Sequence, residues 1–221
     1  MNAQERREKS IEKLKERNIE YLEELPLVEE SSEVTPKSLD QICQRVLACF
    51  AASHLSCDTD NPKDYAESKE FFEEFLHRYN VQNRLSYFEK KIFDNDFSGE
   101  DAVHVSWNFE ALLSLLWALG FIEDGDLEYP YDICDVSKLT ALIMNYPTYE
   151  GFKSACKLRD IEQILDMIDL FYRYHWATVE KRLNVKTNIG QLNAEVVCVR
   201  RKGLEWLIAE EDDWDDISLD T

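Results

Sequence analysis

One group of residues in the 221-residue sequence has the types and spacing to do chemistry. Glu162, Asp166, Asp169, Arg173 and Glu180 fall, at about 100° per residue, on one stripe of a single helix. His175 lies close by, near the rim of the apolar face. Carboxylates gathered in this way suit a metal ion or acid/base work, provided an imidazole or second carboxyl comes within hydrogen-bond reach. An enzymatic or metal-binding reading therefore rests on Asp166, Asp169, Arg173 and His175, in a cleft against the Trp107–Trp117 helix. The plainer reading is a solvated helix edge. Asp169 and Arg173, four residues apart, would then form an ion pair of roughly 0.2–0.5 kcal/mol, and His175 would be packed at the core edge.

Other chemical signatures are missing from the sequence. It has no G-x-S-x-G, no Walker loop and no G-x-G-x-x-G. His54, His77 and His104 have no metal-ligand spacing. The six cysteines (43, 49, 57, 134, 156 and 198) form no C-x-x-C. Cys134-Asp135 reads as a helix start rather than a reactive thiol, because an adjacent carboxylate raises a thiol pKa. The sequence thus predicts no cofactor and no resident metal, and it leans away from an enzyme.

Charge points elsewhere. Lys plus Arg number 25 and Asp plus Glu 45, a net −20. Nucleic-acid backbones reward cationic surfaces through counterion release, so this chain is expected to bind neither DNA nor RNA. Anionic membrane surfaces repel it for the same reason. A basic protein surface is the complementary partner. Much of the acidity is concentrated in three segments: residues 29–33, residues 123–135 and the C-terminal tail. Glu210, Glu211, Asp212, Asp213, Trp214, Asp215 and Asp216 make the tail the expected partner-binding segment. Trp214, Ile217 and Leu219 are expected to dock while the acids stay wet, with Arg200 and Arg201, or Arg6 and Arg7, as counter-charges. The favoured expectation is a non-enzymatic, inhibitor- or immunity-like module that binds a basic partner.

The elements that position these residues read as helices. A charged first helix covers about Gln4 to Glu16, and a loop follows in which Leu25, Leu27 and Val28 tack the chain to the body. Thr35-Pro36, or alternatively a Ser38/Gln41 capping box, opens the second helix. Asn61-Pro62, Ser86/Glu89, Ser98/Asp101 and Asp135 mark further starts. A helix capped at Ser98 carries Trp107 to Leu119, is apolar nearly all round and is therefore central. Gly120 closes it. Leu158 to Leu183 reads as the longest helix, with a seam of Ile161, Leu165, Ile168, Tyr172, Trp176, Val179 and Leu183. Val196 to Val199 fits either the last helix or a short strand.

No flexible linker divides the chain. The expected fold is all-α: a single-domain bundle of about seven to nine helices around the central apolar one. Residues 1–34 would form an N-terminal arm and loop on a body of 35–221. Ala111 to Ile122 is too short to span a bilayer. Met1 to Ile11 lacks an apolar signal region, and with the cysteines read as reduced the expected location is the cytoplasm.

Several blocks, in order, resemble a family. They are Arg6-Arg7 with Ser10, Leu25-Pro26, Glu110-Ala-Leu-Leu-Ser-Leu-Leu-Trp-Ala-Leu-Gly120, Cys134-Asp135 and Tyr172-Arg-Tyr-His-Trp-Ala177. Arg200-Arg201 with Leu204-Glu-Trp-Leu207, and Trp214-Asp-Asp216 with Leu219-Asp-Thr221, complete the series. Together they resemble a bacterial family of unknown function, DUF4272, across nearly the whole chain. The resemblance implies a single domain and no particular activity. The stretches 125–132 and 185–199 follow the pattern only loosely.

Overall fold

Local capping accounts for most helix starts in the computed structural model, which describes residues 2–210 and 213–221. Asn2 caps α1 (Ala3–Glu16), and Ser38 with Gln41 forms the box that opens α2 (Leu39–Cys57). Thr35-Pro36 therefore stays in the preceding loop. Asn61 and Pro62 start α3 (Pro62–Tyr79), which leads through a 3₁₀ turn at Gln82–Arg84 to α4 (Tyr87–Asp94), boxed by Ser86 and Glu89. Ser98 with Asp101 opens α5 (Gly99–Ser106). Each such cap is worth about 1 kcal/mol, because it satisfies a backbone N–H that has no partner inside the helix.

The single helix expected from Ser98 to Leu119 is two. It breaks at Trp107, and α6 (Asn108–Ala118) follows. All of α6 is buried, as its predominantly apolar sequence demands, and its polar members Asn108, Glu110 and Ser114 are enclosed with it. Gly120 ends it at φ +80° in a Schellman turn, with Gly120 N–H donating to Trp117 O and Phe121 N–H to Leu116 O. The acidic stretch 123–135 contains a short helix, α7 (Asp124–Glu128), followed by α8 (Val136–Met144) and α9 (Tyr149–Ala155). The longest helix, α10, starts at Ile161 rather than Leu158, because Asp160 and Gln163 form its capping box; it ends at Leu183. The last helix, α11 (Ala194–Trp206), takes in Val196 to Val199, so helix rather than strand wins there. Among the described residues there are eleven α-helices where about seven to nine were expected, the difference coming chiefly from the Trp107 break and the short α7 and α9. Among the described residues the only β pairing is an isolated bridge between Ile19 and Ile189.

The core is layered around α6, which packs on α2 and α11. Gly203 permits the second of these contacts: a Cβ there would sit 2.6 Å from Ala111 O. Ser114 Oγ donates to Arg200 O across the same contact at 2.9 Å. α10 lies between α1 and α11. From Met167 to Thr178 it is buried on nearly every side, with only Tyr172 and Trp176 half-buried. The seam predicted through Tyr172, Trp176, Val179 and Leu183 is thus its less covered side, and Leu183 is 80% exposed. In the loop after α1, Leu25 and Val28 anchor as expected, whereas Leu27 is exposed. No helix among the described residues is long and apolar enough to cross a membrane.

Candidate functional site

The four side chains nominated from α10 separate in three directions. Asp166 faces α1, 2.6 Å from Lys9 Nζ and 3.4 Å from Arg6 Nε. Asp169 and Arg173 are wholly buried and form a two-pronged pair at 2.7 and 2.9 Å, not a solvated edge. Two charges so enclosed hold only because each neutralises the other. His175 turns toward α11, where its Nδ1 lies 2.8 Å from Arg201 Nη1. A guanidinium always donates, so Nδ1 accepts and the ring is neutral. Burial, with the nearby charges of Arg201 and Arg182, pushes its pKa down to about 4. This lone pair is already engaged and weakly basic. Among the described residues, no group of three or more His, Cys, Asp or Glu is arranged to hold a metal ion.

The distribution of charge is more informative. Among the described residues, Arg6, Lys37, Arg45, Arg173, Arg200, Arg201 and Lys202 are buried, against only Glu89, Glu110 and Asp169 of the acids. Seven buried cations against three buried acids make the exposed surface more negative than the net −20 suggests. The buried cations pair inward. Arg200 Nε donates to Glu110 Oε2 at 2.8 Å and its Nη1 to Leu127 O at 3.1 Å, while Arg45 grips Glu89.

Two of the three acidic segments meet in space. Arg6 Nη1 holds Glu29 O at 3.0 Å, and the Ala3 N–H donates to Glu30 Oε1 at 2.8 Å, which fixes the 29–33 loop on α1. Lys37 then joins the loop to the end of α11, its N–H donating to Leu207 O and its Nζ to Ala209 O, both at 2.8 Å. The tail returns to the same place. Trp214 is buried edge-on against Trp206, with Arg45 and Lys202 each 4.9 Å from its ring centre. Asp215 accepts from Ser86 Oγ at 3.0 Å and from the Phe88 N–H at 3.1 Å, at the start of α4. Arg201 donates to Leu219 O and Asp220 O, both at 3.2 Å.

Loop, α11 and tail thereby enclose an open cleft of about 730 Å³. Glu29, Glu33, Glu205, Glu210 and Asp216 line it, with Lys37 as the cation in its wall. Burial raises the Glu205 carboxyl above its ordinary range and Glu29 adds to the effect, while Arg201 pulls the other way. Of the expected partner-binding residues, Glu210 and Asp216 face this cleft, and Asp213 lines a neighbouring cavity beside Arg45. Trp214 and Asp215 are turned inward as the tail's anchors. Glu211 and Asp212 lie outside the described residues. The third acidic segment is engaged elsewhere: Asp124 accepts from Trp117 Nε1 at 2.8 Å, and Glu128 pairs with Lys13 and Arg17. Glu205 escaped the sequence reading, although its spacing of four from Arg201 was a visible signal.

The sequence model of the family described as "Domain of unknown function (DUF4272)" matches residues 6–217. The chain belongs to that family. No curated protein and no solved structure matches it. The family match runs from Arg6 in α1 to Ile217 in the tail, so the residues that line the cleft lie within the DUF4272 region, Ser218 excepted.

Proposed function

We propose that this DUF4272 chain is a non-enzymatic binding module whose acidic cleft receives lysine or arginine side chains of a basic protein partner. One observation carries the reading: acids more than 170 residues apart in sequence, Glu29 and Glu33 on one side and Glu205, Glu210 and Asp216 on the other, line a single concavity. Like charges held together cost free energy unless a cation relieves them. Glu205 is paired with Arg201 at 2.9 Å, and its carboxyl is nonetheless raised, first by burial and to a lesser degree by Glu29. Among the described residues, burial of seven cations against three acids supports the same reading, because it tips the exposed surface further toward the acids. Six free cysteines favour a reducing compartment, and we place the protein in the cytoplasm.

Titration of a fluorescent lysine-rich peptide against the full chain, followed by anisotropy at rising salt, tests the proposal. Binding that weakens steeply with salt, and that is absent for a glutamate-rich peptide, supports it. Equal binding of both peptides, or binding indifferent to salt, would remove the electrostatic basis.

A further inference from the structure

Two thiols on different helices meet beneath the contact between α2 and α9. Cys43, fully buried in the first turns of α2, has its Sγ 3.6 Å from that of Cys156, the partly exposed C-cap residue of α9. The approach is held by neighbouring bonds. Asp40, almost one turn earlier on α2, accepts from Tyr149 Oη at 2.7 Å and from Lys153 Nζ at 2.8 Å, both on α9. No other pair of thiols among the described residues is in contact.

We propose that Cys156 is an oxidation site and Cys43 its resolving partner, so that a hydroperoxide converts the pair into a disulfide bridging α2 and α9. A disulfide needs the sulfurs at about 2.05 Å. Cys156 sits at a helix end on the edge of the core and is the less enclosed of the two, so closure falls to movement of its side chain. The reactivity is divided in the required sense. The hydrogen bond from Cys43 holds the Cys156 thiol below its ordinary range, while the same bond and burial push Cys43 up. A peroxide in solution reaches the partly exposed Cys156 before the fully buried Cys43, so the attacking thiolate is assigned to Cys156.

In the first step the Cys156 thiolate attacks a peroxide oxygen. The O–O bond breaks, and a sulfenic acid and a hydroxide (or alkoxide) result. In the second step the Cys43 sulfur attacks Cys156 Sγ, the S–O bond breaks, and the departing hydroxide takes the Cys43 proton as water. Two electrons pass from the sulfur pair to the peroxide. A dithiol reductant reverses the change.

The test is treatment of the full chain with equimolar hydrogen peroxide, alkylation of the remaining thiols, digestion and mass spectrometry. The expected result is a reducible cross-link between the peptides carrying Cys43 and Cys156, with a loss of two hydrogens per chain. Cys43→Ser should stop at a sulfenic acid on Cys156 that a dicarbonyl probe traps, and Cys156→Ser should leave Cys43 a free thiol. The wild-type map needs neither variant, so a misfolded Cys43→Ser leaves the proposal falsifiable. Oxidation at the exposed Cys57 while Cys43 and Cys156 remain alkylatable would overturn it, as would a Cys43 cross-link that survives Cys156→Ser.

Discussion

Replacing Trp214 by alanine should undock the tail and open one wall of the cleft. The indole is 2% exposed, and its ring is held by Trp206 and by two cations. Truncating a buried tryptophan to alanine costs about 3–5 kcal/mol. A chain end that undocks locally escapes part of that cost, which puts the expected effect near the lower end, at about 3 kcal/mol. For a domain of this size that lowers Tm by ~6–12 °C. Trp214→Phe should cost far less, because Trp214 Nε1 has no hydrogen-bond partner among the described residues to lose. Thermal melts of the three proteins provide the comparison, with peptide anisotropy reporting whether Glu210 and Asp216 still serve the cleft. A Trp214→Ala protein that melts with the wild type would refute the docked tail. If Trp214→Phe fell as far as Trp214→Ala, the stabilisation would depend on the indole itself and not on aromatic packing.

Other consequences can be checked separately. Gly203→Ala forces a methyl to within 2.6 Å of Ala111 O and should destabilise by about 1–3 kcal/mol in urea melts, despite alanine's better helix propensity. Asp169→Ala strands Arg173 in the core and should cost about 3–5 kcal/mol, whereas the double change Asp169→Leu/Arg173→Met should recover most of that loss, also read from denaturant midpoints. His175 has a folded-state pKa depressed from 6.5 to about 4. The unfolded chain therefore binds the extra proton between those values, so stability is full above pH 6.5 and declines as pH falls toward 4. Against His175→Asn, which keeps an acceptor for Arg201, the wild type should show the steeper loss in that window; parallel curves would refute a buried neutral ring.

Short-range signals were the legible part of this fold. The boxes at Ser38/Gln41, Ser86/Glu89 and Ser98/Asp101 were readable because a cap and its partner lie three residues apart and depend on nothing else. The central position of α6 followed from its predominantly apolar composition. The break at Trp107 left no such mark, since Trp107 keeps helical dihedrals and has no side-chain cap; the chain only tightens there, the Glu110 N–H donating to Trp107 O. On α10 the stripe was real, but its surroundings were misread: a helix covered by both α1 and α11 buries Asp169 and Arg173 that its own sequence would leave wet. The cleft illustrates the same limit. Its loop and tail acids stood out as runs of charge, yet their meeting depends on Arg6, Lys37, Arg201 and Trp214 acting across most of the chain's length.

The central claim is that the cleft, and not bulk acidity, selects a cationic partner. Two charge-matched variants separate these: Glu29→Lys/Glu33→Lys in the cleft, and Glu70→Lys/Glu74→Lys on the exposed face of α3, which does not line it. Each shifts net charge equally, so long-range attraction changes alike. Measured by anisotropy with the lysine-rich peptide at physiological salt, the cleft variant should lose affinity about tenfold or more relative to the α3 variant, as expected for removing about 1.4 kcal/mol of local interaction. Equal losses in the two variants would contradict the account and reduce the acidity to a general property of the surface.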